Sequence, residues 1–148
     1  MKRLRFLTPF VFGLALAGMV TVSAAQSKSF QVTATVVQFE AFGNQDMIGD
    51  SNIVNVDLTD PQGQSAGTAA SHCTLISELP EPVLEQCLLT FVFPSGQLIL
   101  GGIAPLPAPG AEADFGILGG TGRFSKARGM AHTVVNLDGT FDFLFTLE

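Results

Sequence analysis

The chain has 148 residues, a formal net charge of -6 at neutral pH, 47% hydrophobic residues, 13 Phe and neither Trp nor Tyr. So apolar a composition with so few charges excludes a disordered chain, and the length suits one domain with a real core rather than two. Beyond residue 25 only Lys28, Arg123, Lys126 and Arg128 are basic, against all 13 acidic residues, so the surface repels nucleic acid and anionic lipid.

At the start, Lys2, Arg3 and Arg5 precede an apolar stretch over residues 6–22, and the small residues Ser23, Ala24 and Ala25 follow. This is the layout of an export signal cleaved near Ala24 or Ala25. Residues 1–25 are therefore read as a signal peptide and 26–148 as one secreted domain, extracellular or periplasmic. Thr8, Pro9, Gly13 and Gly18 interrupt a run already short for a membrane span, so no span is expected once the signal is gone.

After Ser27 no segment has the 3.6-residue period of an amphipathic helix, and short β-rich runs recur between turn residues. A strand is predicted over 29–41 and a second over 53–59, ending at the turn Asp60, Pro61, Gln62, Gly63. The third and fourth are placed at 67–77 and 83–93, with a loop through Glu78, Leu79, Pro80, Glu81 and Pro82 between them. Pro94, Ser95 and Gly96 return the chain into a fifth strand, 97–103, which the prolines 105, 107 and 109 end. A sixth strand is predicted over 113–118 and a seventh over 129–137, and Asp138 and Gly139 turn the chain into the last, 140–147.

Eight short strands joined in order by turns predict an all-β, antiparallel up-and-down barrel, because closure removes exposed sheet edges. A barrel of that size has room for one small ligand. A two-layer sandwich is the other arrangement this strand count allows. Residues 88–93 and 141–147 are apolar on both faces, more than one interior requires, so a homo-oligomer is expected.

Cys73 and Cys87 are the two cysteines. In an exported chain they are read as a disulfide: if Ser77 faces Val83 across the loop, antiparallel pairing sets the two cysteines opposite each other. Two buried free thiols are the other reading.

The glycine-rich run Gly119, Gly120, Thr121, Gly122 lacks the Lys-Ser/Thr ending of a phosphate loop and no predicted helix follows it. It reads as a corner needing positive φ. Arg123, Lys126 and Arg128 beside it are either a carboxylate-binding cluster or solvated turn residues. His72 and His132 fall on separate strands outside any metal-ligand cluster, and no nucleophile elbow occurs, so neither a metal nor a cofactor nor a hydrolase is expected.

The segment 116–129, with Gly119, Gly120, Thr121, Gly122, Phe124, Ala127, Arg128 and Gly129, resembles the signature of plant dirigent proteins. Its Gly-Gly-x-Gly-x-Phe part resembles allene oxide cyclases, which share an eight-stranded barrel. The strand around Cys73, and Thr90, Phe91, Val92, Phe93 followed by Gly96, resemble successive strands of those cyclases. The resemblance implies that Glu40 stabilises developing positive charge, that Asn55 holds a water, and that Cys73, Phe91 and Phe93 line the pocket. It departs at Phe42, where the cyclases have a second asparagine, and at Ala104, where they have a tyrosine.

Both departures remove polar groups, and a disulfide would leave Cys73 no thiol, so allene oxide cyclisation itself is not expected. On the residues alone, Glu40 shares a strand face with Gln38 and Phe42, and Asn55 with Asp57. Those faces can be interior, where burial would raise the Glu40 pKa and suit it to acid, base or electrostatic work, or simply solvated. Two functions stay open: a barrel that steers an isomerisation, cyclisation or coupling of a small apolar molecule, and a non-catalytic carrier or structural protein for lipid-like metabolites.

Overall fold

A computed structural model describes residues 28–77 and 82–148. The expected signal peptide and residues 78–81 of the loop after the third strand lie outside the described residues. Eight strands follow in order: β1 Lys28–Phe42, β2 Ser51–Thr59, β3 Ser65–Leu75, β4 Leu84–Phe93, β5 Gly96–Pro105, β6 Glu112–Gly120, β7 Gly129–Val135 and β8 Phe141–Leu147. Each pairs antiparallel with the next, and β8 pairs back with β1, closing the barrel. The sandwich is thereby excluded, and a single 3₁₀ turn, Gly122–Phe124, is the one helical element among the described residues. No helix among them is long and apolar enough to cross a membrane.

Alternation decides what fills the cylinder. On β1, Val32 and Ala34 point inward and are buried, and on β5 Leu98 and Leu100 do the same. The turns follow their residue chemistry. Asp60 accepts hydrogen bonds from the Gln62 and Gln64 amides. The Asp138 carboxylate accepts from the Thr140 hydroxyl and amide, which holds its pKa below the usual carboxylate value. Gly96 and Gly129 sit at φ 138 and φ 125, where a Cβ would collide with the backbone oxygens of Thr121 and Thr146. The corners therefore require glycine for closeness as well as for conformation.

Strand ends differ from expectation by up to two residues, and by two at the start of β2, both ends of β3 and the C-terminal ends of β5, β6 and β7. β2 starts at Ser51 rather than two residues later, because Phe42 and Ala41 of a long β1 pair with Ser51 and Asn52. β7 ends at Val135, since the Asn136 amide donates to the Thr140 carbonyl and makes a wider turn, leaving Leu137 at its tip.

The two halves of the cylinder are filled differently. Toward one end the interior is filled by Phe30, Phe91, Phe93, Phe124, Phe143 and Phe145, with ring centroids as close as 4.6 Å between Phe30 and Phe145, and Phe30, Phe93 and Phe124 floor a wide open depression there. The other end is hollow, bounded by Asn52, Cys73, Glu85, Ala104 and Phe141.

Candidate functional site

The hollow end encloses a cavity of about 110 Å³ that opens to the outside. Its walls are mainly small or apolar: Ala34, Val54, Val56, Ala69, Leu89, Phe91, Phe115 and Phe143. β3 and β4 contribute the Cys73–Cys87 disulfide, whose two residues are direct cross-strand partners with Cα atoms 4.1 Å apart. The bridge is present as the register argument required, and it forms part of the cavity wall.

Five polar side chains interrupt this lining: Ser71, Glu112, Thr133 and the hydrogen-bonded pair Asn52 and Glu85. Asn52 sits on β2 opposite Cys73, and Glu85 sits on β4 two residues before Cys87, so alternation turns both inward. Asn52 Nδ2 donates to Glu85 Oε1 at 2.7 Å. Glu85 is only 2% exposed, and burial pushes its pKa above the usual carboxylate value, partly offset by the Asn52 hydrogen bond. Burial thus shifts the group toward its protonated form, the direction an acid with a proton to donate requires.

A third residue holds Asn52 in place. Asn52 Nδ2 also lies 3.3 Å from Gln45 Oε1, while the Gln45 amide donates to the carbonyls of Ser51 and Phe42. Gln45 has φ 62, the one non-glycine with positive φ among the described residues. Such a conformation costs on the order of 1 kcal/mol and persists where surrounding bonds impose it.

The residues expected from the sequence divide sharply. Cys73, Phe91 and Ala104 line the cavity. Phe93 belongs instead to the phenylalanine cluster at the packed end. Glu40, Asn55 and Phe42 are corrected: all three stand on the outer face of the barrel. Glu40 and Asn55 are joined there through Gln38, whose amide donates to Glu40 Oε1 at 2.7 Å and accepts from Asn55 Nδ2 at 3.0 Å.

For Glu40 and Phe42 a β-bulge between Val36 and Gln38 is the physical reason, whereas Asn55 faces outward by plain alternation with the inward Val54 and Val56 of β2. The bulge inserts Val37 and shifts the alternation, so that Phe39 and Ala41 share the inner face and Gln38, Glu40 and Phe42 the outer one. Asp57 is likewise exposed.

Asn52 and Glu85 were missed for identifiable reasons. Asn52 lay before the expected start of its strand, and Glu85 sits between residues that read as ordinary strand. The available signal was spacing: Glu85, Cys87, Leu89 and Phe91 alternate on one face, so an inward cysteine at 87 carries Glu85 inward with it.

The histidines are outside the cavity. His132 Nδ1 lies 2.8 Å from Asp114 Oδ1 on the outer surface, and His72 is exposed. Among the described residues, the group of His, Cys and acidic side chains close enough to share an ion is Cys73, Glu85 and Cys87, and its two sulfurs are bonded to each other.

Fold and cavity together define a closed, eight-stranded antiparallel β-barrel with an apolar cavity at one end. A pyocyanin demethylase superposes with a TM-score of 0.73 at 18% identity, over 82% of this chain and 100% of that one. A nonspecific heme-binding cyclase that catalyses a cycloaddition in neoabyssomicin biosynthesis gives 0.70 at 20%, covering 84% of this chain and 65% of that one. The Diels Alderase AbmU from Streptomyces koyangensis gives 0.69 at 21%, covering 82% and 63%. The chain thus spans just under two thirds of the length of the last two. No protein-family model and no curated protein matches the sequence. At these identities the likeness shows the shared barrel.

Proposed function

We propose that the protein is an exported barrel, similar to allene oxide cyclases and dirigent proteins, that takes a small apolar molecule carrying one oxygen function and steers its isomerisation, cyclisation or coupling. The observation that carries this reading is the buried, hydrogen-bonded Asn52–Glu85 pair in the wall of a mainly apolar cavity open to the outside. Neutral Glu85 donates a hydrogen bond or a proton to the ligand oxygen and so withdraws electron density from a conjugated system attached to it. Asn52 Nδ2 then stabilises the carboxylate that a full transfer leaves behind. The apolar walls select one folded conformer and exclude water, so positioning supplies much of the rate. The structural neighbours named as cyclases and Diels Alderases support a barrel interior as a place for such chemistry.

The test compares wild type with Glu85→Gln and Asn52→Leu on a panel of conjugated carbonyl compounds, following binding and product separately. Retained binding with turnover reduced about 100-fold in Glu85→Gln supports the acid role, in line with the usual worth of general acid catalysis. Undiminished turnover in both variants would sink it. A second reading, a carrier without chemistry, is favoured by the mainly apolar wall; it predicts that every bound compound is recovered unchanged.

A further inference from the structure

We propose that the inner face of the upper part of β1, through Val36 and Phe39, is a binding subsite for an apolar arm of the ligand, a deeper form of the cavity reading above and resting on it. The cavity reaches Ala34 and Phe141, which are direct cross-strand partners and mark the last pairing between β1 and β8. Beyond that point β1 continues to Phe42 while β8 has ended, so the wall is open on that side.

The inner face does not turn polar where it leaves the cavity. Val36 lies opposite Val56, Phe39 opposite Val54 and Ala41 opposite Asn52, and those three β2 residues all line the cavity. Directly paired residues stand on the same face with Cβ atoms about 5 Å apart. The apolar surface is thus continuous from Ala34 through Val36 to Phe39, yet Val36 is 40% and Phe39 58% exposed.

Size points to the occupant. A cavity of about 110 Å³ holds little more than one ring, whereas sites for larger ligands run to roughly 300 Å³ and above. A molecule whose oxygen reaches Glu85 and whose body exceeds a ring must extend out of the cavity, and the stretch of β1 beyond Ala34, where β8 no longer pairs, is the side left open for it. The surface it then meets is apolar for roughly 13 Å, at about 3.3 Å per residue of strand. The ligand class is therefore an amphiphile with an oxygen-bearing head and a linear or branched hydrocarbon arm.

The test uses protein expressed from the full chain and a series of straight-chain methyl ketones of rising length, each displacing an apolar fluorescent dye. An arm covered on one side should tighten binding about two-fold per methylene, half of the roughly four-fold that full burial gives. In the double variant Val36→Thr, Phe39→Ser, that gain should stop at short chains while the shortest ketone binds as before; Leu144→Ser, on the outer face of β8, should keep it. The subsite is overturned if short ketones bind and longer ones gain nothing, or if the gain survives the double variant. A gain that survives while the double variant changes the sedimentation of the protein assigns the strip to a second copy of the chain, which also overturns it. Failure of ketones of every length to bind removes the cavity reading, and the subsite with it.

Discussion

Burying one carboxyl in an apolar wall has consequences that pH can report. The Glu85 pKa is raised in the folded state, so the folded protein holds that proton over a range where the unfolded chain has released it. The sign follows from proton linkage. Stability is fully present below the unfolded carboxylate value, falls as pH rises, and has lost this contribution above the folded value. Glu85→Gln keeps an acceptor for Asn52 and cannot ionise, so its melting temperature should be flatter across that window and higher than wild type above it, as thermal melts at several pH values would measure. Asn52→Leu removes the donor to a buried group and should cost about 1–3 kcal/mol in denaturant unfolding. Glu40→Gln and Asn55→Ala alter an exposed hydrogen-bond chain on the outer face and should change stability by less than about 0.5 kcal/mol, with ligand affinity unchanged. At this scale the sequence was a partial guide: it pointed to a glutamate and an asparagine, but a single bulge residue, Val37, turned Glu40 outward, and the alternation of β2 turned Asn55 outward. No local pattern announced that insertion.

Among the elements, β3 and β4 carry the staple. Cys73 and Cys87 close a segment 14 residues apart, and Cys73→Ala, Cys87→Ala should lose about 3 kcal/mol in the chain-entropy model, read as a lower denaturant midpoint than the oxidised protein. That pairing was legible because one assumption about the loop fixes the whole antiparallel register, and Leu75 does pair with Glu85. Strand positions were legible too, since turn residues with stated φ requirements punctuate the chain. The beginning of β2 was not, because Ser51 and Asn52 join the sheet only through an overlong β1. Phe91 stands where the packed half meets the hollow half, fully buried and lining the cavity. Phe91→Ala should cost about 3–5 kcal/mol and admit a larger ligand, checked by unfolding and by dye uptake.

For the whole molecule, closure of the barrel leaves a surface with many apolar side chains, among them Leu88, Ile103, Leu118 and Leu144. These support the proposed homo-oligomer, and sedimentation should find a mass above that of one chain, with Leu118→Glu lowering it. Composition, alternation and turn chemistry determined by themselves that the chain is all-β with eight strands, an apolar interior and two cysteines in register to pair, because each of these depends on local period and pairing parity. Closure into a barrel rather than a sandwich was settled by β8 pairing with β1. Which carboxyl meets the ligand, and that half of the interior is phenylalanine while the other half is hollow, were decided only by tertiary structure. Inside and outside of a strand exchange with every single-residue shift, and only the closed set of eight partners fixes where each shift falls.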